Sequence, residues 1–402
     1  MKRLIGYTAA LCLLALTVGC GGVTSTGTLA YISNSTGTGF TVFKVNTDGT
    51  LTKSSISPQN TPASPKVLQF SANGKWAYFL DEGGTGVFGY KRSGNGELNT
   101  PVDPQLPYPL SGRGSALVIS PNSNFVYVAL QDTKRLVAYS IDASTGQLST
   151  VGSPALINYA ITQLVMAPGG AVLYGLAPDQ QAVLSFTLNS SSGVATLSST
   201  LPVGTNPSYI VLSANGSYLY VLDHTATGTN NSIGINIASP SIFGYDTGGS
   251  GVLQQMAGSP FNENPAHTSD DPTGTKIYTA PSNPVSGATS SDNRYLFVAN
   301  QGSHNISSFK INSTSGELSE VIGTEQDVNG VITSTASPFD CGTGCTTPSF
   351  LTVSSANNAL YLLDTTANKV FQFKIDQGTG RVRGLNPASV SAEGNPTWVT
   401  IR

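Results

Sequence analysis

Charge is scarce in this chain of 402 residues, because Asp, Glu, Lys and Arg together make up 10% and the net charge is −3. No basic patch stands out, and binding to nucleic-acid phosphates needs clustered Lys and Arg, so a nucleic-acid partner is excluded. No helical periodicity appears in the mature chain. Nor does it contain a Gly-x-Ser-x-Gly elbow, a phosphate-binding loop or a His-Glu-x-x-His motif, so the usual signatures of serine hydrolases, nucleotide-binding proteins and metalloproteases are absent.

Long apolar runs are also missing, apart from one at the start of the chain. Leu4 to Val18 follows a short basic start and is too short to span a membrane, so residues 1–19 are predicted to be a signal peptide. The small residues before Cys20 resemble a bacterial lipoprotein signal, in which Cys20 becomes the acylated N-terminus. The alternative is ordinary secretion, with Cys20 incidental.

The lipoprotein resemblance implies where the protein lies. Residues 20–27 would form a lipidated tether, and the lipid would be the only contact with the membrane. Gly21 directly follows the cysteine, which favours the outer membrane by resemblance to known sorting rules. We therefore expect an exported lipoprotein that faces the periplasm or the cell surface.

Four cysteines are present, and one of them leaves with the signal peptide. Cys341 and Cys345 remain in a Cys-Gly-Thr-Gly-Cys segment, and a disulfide between them suits an oxidising compartment. A metal pair is the alternative, but no histidine lies within thirty residues. We expect the disulfide, and no metal or cofactor.

An apolar–aromatic motif recurs seven times along the chain. Successive aromatic residues are spaced by 47, 49, 47, 46, 77 and 64 residues. Each repeat carries four short β-runs separated by turn residues, and a period in the forties with this content is typical of a β-propeller with one four-stranded blade per repeat. The aromatic residues are Tyr31, Tyr78, Tyr127, Tyr174, Tyr220, Phe297 and Tyr361.

The two ends of the chain complement each other. Seven first strands can be aligned, and the last of them, which begins at Pro396, ends the chain, whereas the repeat that starts near Thr28 has no first strand. We therefore predict an all-β, seven-bladed propeller of antiparallel four-stranded blades over residues 28–402. Trp398–Ile401 would pair with Ala30–Ile32 and close the ring, which removes exposed sheet edges.

Three insertions belong to the links on one face of the predicted ring, over blades five to seven. Long ordered loops on one side of a rigid scaffold usually carry function. This arrangement predicts a non-catalytic binding or scaffold protein whose partner is a protein or a glycan, with neutral surface growth as the alternative. The insertions are His224–Pro240, Gln254–Asn283 and Thr324–Thr347.

Polar residues recur three positions after the repeat aromatic, at the mouth of the same face. They are predicted to cap turns by accepting backbone N–H groups, and the alternative is ligand binding. Lys66 and Arg113 begin or precede first strands and should lie near the channel mouth, where they would hold an anionic substrate. The recurring polar residues are Asn34, Asp81, Asp223, Asn300 and Asp364.

The three histidines are candidate general bases, because an unperturbed imidazole titrates near neutrality. His224 and His304 follow strands in blades five and six, and His267 lies in the second insertion. All three are equally consistent with solvated loop residues. Acidic residues near His267 offer oxygen ligands for calcium, although they lack a recognised loop spacing. These residues are Glu263, Asp270 and Asp271.

The repeat Ser-Ala-Asn-Gly-Ser-Tyr-Leu-Tyr-Val-Leu-Asp, followed by a strand and Ser-Thr-Gly-Gln-Leu, resembles the seven-bladed lactonase-type propellers. That family includes bacterial 6-phosphogluconolactonase and the fungal muconate cycloisomerases, and the chain is also similar to Tyr-Val-Thr-Asn surface repeats. The resemblance implies a lactonase-like hydrolase that opens a sugar lactone at the channel mouth, with Arg113, His224 and His304 as candidate catalytic residues. Gly114 stands where the family's lactonases carry a histidine, so this activity is the alternative to the binding function.

Overall fold

The computed structural model describes residues 27–37, 39–230, 235–249, 251–261, 281–326 and 332–402, with the backbone alone described for residues 225–240 and 323–336. The described chain consists of β-strands and one short 3-10 turn, Pro178–Gln180. Seven antiparallel sheets form the blades of a ring, and the first strand of each blade lies innermost. The prediction of an all-β, seven-bladed propeller is confirmed.

Strands are numbered in chain order, and blades are numbered by their repeat aromatic. Blade 1 contains β1 (Leu29–Asn34), β2 (Gly39–Val45), β3 (Leu51–Lys53), β4 (Gln59–Asn60) and β34 (Pro396–Ile401). Blade 2 contains β5 (Pro65–Phe70), β6 (Trp76–Asp81), β7 (Gly86–Lys91), β8 (Thr100–Pro101) and β9 (Tyr108–Pro109). Blade 3 contains β10 (Gly114–Ile119), β11 (Phe125–Leu130), β12 (Arg135–Ile141), β13 (Leu148–Thr150) and β14 (Ala155–Leu156).

The remaining blades follow the same plan. Blade 4 contains β15 (Gln163–Met166), β16 (Val172–Ala177), β17 (Ala182–Leu188) and β18 (Ala195–Pro202). Blade 5 contains β19 (Pro207–Leu212), β20 (Tyr218–Asn230), β21 (Ile235–Asp246) and β22 (Gln254–Gln255). Blade 6 contains β23 (Pro284–Thr289), β24 (Tyr295–Asn300), β25 (Asn305–Ile311), β26 (Leu318–Glu320) and β29 (Phe339–Asp340). The hairpin of β27 (Ile322–Gln326) and β28 (Ile332–Ala336) forms a separate sheet between β26 and β29. Blade 7 contains β30 (Pro348–Val353), β31 (Ala359–Asp364), β32 (Lys369–Ile375) and β33 (Val382–Ser391).

The last strand closes the ring as predicted. β34 pairs antiparallel with β1, and Ile401 lies opposite Ala30 while Val399 lies opposite Ile32. The backbones of Leu29 and Arg402 exchange two hydrogen bonds of 2.7 Å. Blade 1 is therefore built from both ends of the described chain, and its inner strand depends on the last eight residues.

In six blades a buried hydroxyl, carried by the repeat aromatic or by its partner on the next strand, joins the blade to the following one. Tyr78 of blade 2 donates its hydroxyl hydrogen to the carbonyl of Gly146 in blade 3 at 2.6 Å. Blade 6 has Phe297 instead, and Ser308, its partner on β25, supplies the hydroxyl to Gly380 at 2.7 Å. The glycine has a positive φ in every one of these contacts, which a residue without a Cβ tolerates best. The other contacts are Tyr31–Gly96, Tyr127–Gly193, Tyr220–Gly316 and Tyr361–Gly49.

We expect Tyr78→Phe to destabilise the protein by about 1–2 kcal/mol, because the buried Gly146 carbonyl loses its partner. The matched control is Tyr139→Phe, since the hydroxyl of Tyr139 has no hydrogen-bond partner among the described residues, although its ring is also buried. Thermal unfolding of the two variants tests this. Equal losses in the two variants would contradict a role for the blade-to-blade hydrogen bond.

Two of the three predicted insertions differ in form from the expected loops, and residues 262–280 of the second, Gln254–Asn283, lie outside the described residues. The first, His224–Pro240, lengthens β20 and β21 into a hairpin, so that strands of thirteen and twelve residues stand where other blades have six or seven. The third contains the hairpin β27–β28 and then Cys341 and Cys345, whose sulfurs are bonded at 2.00 Å. Antiparallel pairing satisfies the backbone polar groups that a long loop would leave to solvent. The predicted disulfide is confirmed.

Candidate functional site

A ring of seven half-buried residues surrounds the mouth of the central channel, with one residue from each blade. Each is the fourth residue after the repeat aromatic. In six blades its backbone N–H donates to the residue that precedes the first strand, as Glu82 does to the Ser64 carbonyl at 2.8 Å and His224 to the Asn206 carbonyl at 3.0 Å. The members of this mouth ring are Ser35, Glu82, Gln131, Pro178, His224, Gln301 and Thr365.

The residues just before the mouth ring are buried and hold the turns around it. Both carboxylate oxygens of Asp81 accept hydrogen bonds from Thr85, and one also accepts the N–H of Gly86. Asp223 accepts the backbone N–H groups of Thr205 and Asn206. These contacts are those of turn caps.

Blades 6 and 7 repeat this arrangement. Asp364 is fully buried and accepts the N–H groups of Thr346, Thr347 and Ala367. Asn300 is 2% exposed and donates to Asn305 and Ser307. Direct ligand binding by Asp81, Asp223, Asn300 and Asp364 stays a prediction. In the described contacts all four side chains form hydrogen bonds within the protein, beside the mouth ring.

A β-bulge turns one residue of the first strand toward the mouth. The pairing register shifts between the first and third residues of this strand, as between Pro65 and Val67, and bulges of this kind re-aim a side chain. In blades 3, 5 and 7 the bulged residue is a serine whose hydroxyl bonds to a strand carbonyl. In blade 2 the bulged residue is Lys66, so a half-buried lysine occupies the position that carries serine in blades 3, 5 and 7.

Lys66, Glu82 and Arg113 form one electrostatic cluster at the mouth. Burial lowers the pKa of the Lys66 ammonium, an effect that the Glu82 carboxylate opposes and the Arg113 guanidinium strengthens. Burial raises the pKa of the Glu82 carboxyl, an effect that Lys66 and a contact from the Thr397 hydroxyl at 3.5 Å oppose. The pKa of Lys66 is thereby lowered and that of Glu82 raised, each toward neutrality.

The backbone of Arg113 is fixed by hydrogen bonds, whereas its side chain is exposed. Its N–H donates to Asp132 Oδ1 at 2.7 Å, and its carbonyl accepts the N–H of Gln131 at 2.8 Å. The guanidinium is always charged and has five donors, so it suits an oxyanion or a carboxylate.

Gly114, where the resemblance implied a histidine in the family's lactonases, is closely packed by two leucine side chains. A Cβ there would lie 2.7 Å from Leu80 Cδ1 and 2.8 Å from Leu110 Cδ1. A histidine at this position would require both leucines to move. Leu80 and Leu110 therefore pack directly against the Gly114 backbone.

The structure brings Lys66 and Arg113 together but not the two histidines. His224 belongs to the mouth ring in blade 5, and its Nε2 is buried without a hydrogen-bond partner in the described part of the chain. His304 is exposed in blade 6 and has a φ of 53°, in the turn position that Lys134, Gln181 and Asn368 occupy in other blades. A catalytic role for His224 or His304 stays a prediction, and the geometry gives His304 the role of a turn residue.

Glu82 was not among the predicted site residues. The mouth ring has no shared residue type, so the repeat gave no signal for it. The one available indication is that Glu82 directly follows a turn-capping aspartate in the blade whose first strand carries Lys66. The calcium candidates Glu263, Asp270 and Asp271, together with His267, lie outside the described residues, as does Cys20.

Comparison with known proteins supports the lactonase-type propeller. Residues 39–157, which include Lys66, Glu82 and Arg113, match the family described as Lactonase, 7-bladed beta-propeller. No curated protein sequence matches the chain. The predicted resemblance to this family is confirmed, and the seven-bladed fold agrees with it.

Solved structures share the fold at low sequence identity. A periplasmic gluconolactonase from Pseudomonas aeruginosa is similar with a TM-score of 0.68 and 15% identity, over 93% of this chain and 98% of that one. A putative 6-phosphogluconolactonase from Bacteroides uniformis has a TM-score of 0.68 and 14% identity, over 94% and 100%. Hydrazine synthase from Kuenenia stuttgartiensis has a TM-score of 0.57 and 16% identity, over 86% and 91%. At these identities the likeness concerns the fold.

Proposed function

We propose that the protein is an exported lactone hydrolase that opens sugar lactones at the channel mouth over blades 1 to 3. The observation that carries this proposal is the cluster of Lys66, Glu82 and Arg113, in which burial moves the pKa values of a base and an acid toward neutrality. The family match spans all three residues, and two of the similar structures are described as lactonases.

The proposed reaction assigns one role to each residue. The Glu82 carboxylate accepts a proton from water as the water oxygen attacks the lactone carbonyl carbon. The Arg113 guanidinium and the Lys66 ammonium stabilise the oxyanion of the tetrahedral intermediate. The carbon–oxygen bond to the ring oxygen then breaks, and Glu82 returns the proton to that oxygen. The carboxylic acid so formed releases its proton to solvent, and the resulting carboxylate stays beside Arg113 until the product leaves.

The rate of hydrolysis should first rise and then fall as the pH increases. It is measured as proton release, with spontaneous hydrolysis subtracted. Glu82 must be deprotonated, so the rate rises through a pKa above 4.5, the ordinary value of a glutamate. Lys66 must be protonated, so the rate falls through a pKa below 10.5. Lys66→Met should lower kcat and remove the alkaline limb. An alkaline limb that persists in this variant would contradict the role of Lys66.

A binding function is the second candidate, and it rests on the other side of the mouth. The long β20–β21 hairpin, the β27–β28 hairpin and the Cys341–Cys345 disulfide all belong to links on the mouth face in blades 5 and 6 or directly after them. Two paired hairpins and a disulfide-bonded loop on one face suit a protein or glycan partner. Lactone turnover discriminates the two candidates, because a binding platform has none.

We also propose that Cys20 is acylated and anchors the protein to the outer membrane. The signal sequence supports export, as does the similar structure described as periplasmic. Among the described residues no helix is long and apolar enough to span a bilayer. Cys20→Ser should move the protein from the membrane fraction to the soluble periplasmic fraction. Retention of the variant in the membrane fraction would contradict the anchor.

A further inference from the structure

The other end of the channel contains a separate cavity of about 370 Å³. First strands of blades 1, 2, 5, 6 and 7 line it, and it reaches Ser355, which lies in the tight turn after β30 on the face opposite the mouth. Its volume lies in the lower part of the range of small-molecule sites. Neither Lys66, Glu82 nor Arg113 lines it, so it is distinct from the proposed active site.

Three aromatic side chains form one wall of this channel cavity. The rings of Phe350 and Trp398 lie with centroids 4.4 Å apart. The Trp398 indole N–H donates to the Thr400 hydroxyl at 3.0 Å, which in turn donates to the Leu68 carbonyl at 2.6 Å, so the indole is fixed. Burial raises the pKa of Tyr209 to about 12, so this phenol stays neutral.

The polar groups that line the same cavity are uncharged. The Gln69 amide and the Thr352 hydroxyl both line it, and neither has a hydrogen-bond partner in the part of the protein that is described. Its lining residues include no Asp, Glu, Lys or Arg. An ion there would lose its hydration without gaining a counter-charge, so the cavity favours a neutral ligand that has both an apolar face and hydroxyl groups.

We propose that this cavity binds a neutral sugar of one or two rings. A pyranose presents a face of C–H groups that packs on the Trp398 and Phe350 rings, while its hydroxyls exchange hydrogen bonds with Gln69 and Thr352. The fixed indole and the closed ring of strands preorganise the aromatic wall, so little conformational entropy is lost on binding.

Sugar binding can be followed by the fluorescence of Trp398. The chain has two tryptophans, and the other, Trp76, is buried in blade 2, so Trp76→Phe leaves Trp398 as the single reporter. We expect D-glucose or maltose to change its fluorescence saturably, and gluconate, a charged analogue of similar size, to bind at least about tenfold more weakly. Gln69→Leu should weaken sugar binding about tenfold, whereas Gln147→Leu, in an exposed turn, should not change it.

Calorimetric titration of the unmodified protein covers the case in which Trp76→Phe fails to fold. The absence of saturable binding of either sugar at about 100 mM by both methods would overturn the proposal. Tighter binding of indole than of any sugar would overturn the ligand class. Sugar binding should persist in Glu82→Gln, so failure of this proposal and failure of the proposed hydrolysis are distinguishable.

Discussion

Replacing Glu82 by glutamine should lower the rate of lactone hydrolysis about a hundredfold or more, because general base catalysis by a positioned carboxylate contributes on that order. Glutamine keeps the shape of the side chain and an oxygen that accepts the Thr397 hydroxyl, but it cannot take a proton from water. The fall should appear in kcat more than in KM, since the base acts on the attacking water rather than on the bound lactone. Measured proton release at saturating lactone tests this.

The matched control is Glu97→Gln. Glu97 lies in the same blade, and its carboxylate accepts a hydrogen bond from Asn99 in the tight-turn region of the opposite face. Its replacement should leave the rate within about twofold, as expected for a surface change far from the reacting groups. The acid limb of the pH–rate profile should vanish in Glu82→Gln and persist in Glu97→Gln. Equal rates in the two variants would remove Glu82 from the mechanism.

Deletion of residues 395–402 should lower the melting temperature by more than about 10 °C or prevent folding altogether, because it removes the inner strand of blade 1. The loss exposes the edge of β1 and takes Trp398 away from Phe350 and Val399 away from the buried cluster around Tyr361. No other segment in the described chain offers a strand for this edge. Thermal unfolding followed by circular dichroism measures the effect.

A permuted chain separates ring closure from general damage. Arg402 lies beside Leu29, with their backbones bonded at 2.7 Å. Residues 395–402, placed before Thr28 and joined to it by a short turn, should therefore recover the inner strand and most of the lost stability. An unchanged melting temperature after deletion, or no recovery after permutation, would contradict the closure.

The fold could be predicted because its determinants recur at fixed positions. Each repeat aromatic lies in a strand buried on both faces, and six glycine turns accept a hydroxyl from the preceding blade, so packing constrains the same positions from blade to blade. The closure of the ring could be predicted from the same repeat. The chain contains seven first strands, and the last of them, at Pro396, is not followed by the other strands of a blade.

The candidate site could be predicted only in part, because its residues do not recur from blade to blade. Lys66 and Arg113 could be placed at the mouth because they stand at the start of first strands, whose positions the repeat gives. Glu82 belongs to a ring whose seven members share a backbone contact but no side-chain chemistry, so no pattern marks it. The sequence also drew attention to His304 for its residue type, whereas its left-handed backbone shows that the position is a turn.

The most direct test of the central proposal is proton release by the soluble protein from residue 21 onward, with 6-phosphogluconolactone and a panel of simple lactones and with spontaneous hydrolysis subtracted. We expect rates well above background for at least one sugar lactone, lost in Glu82→Gln and retained in Glu97→Gln. A rate indistinguishable from background for every lactone would contradict it and would leave the propeller as a binding platform.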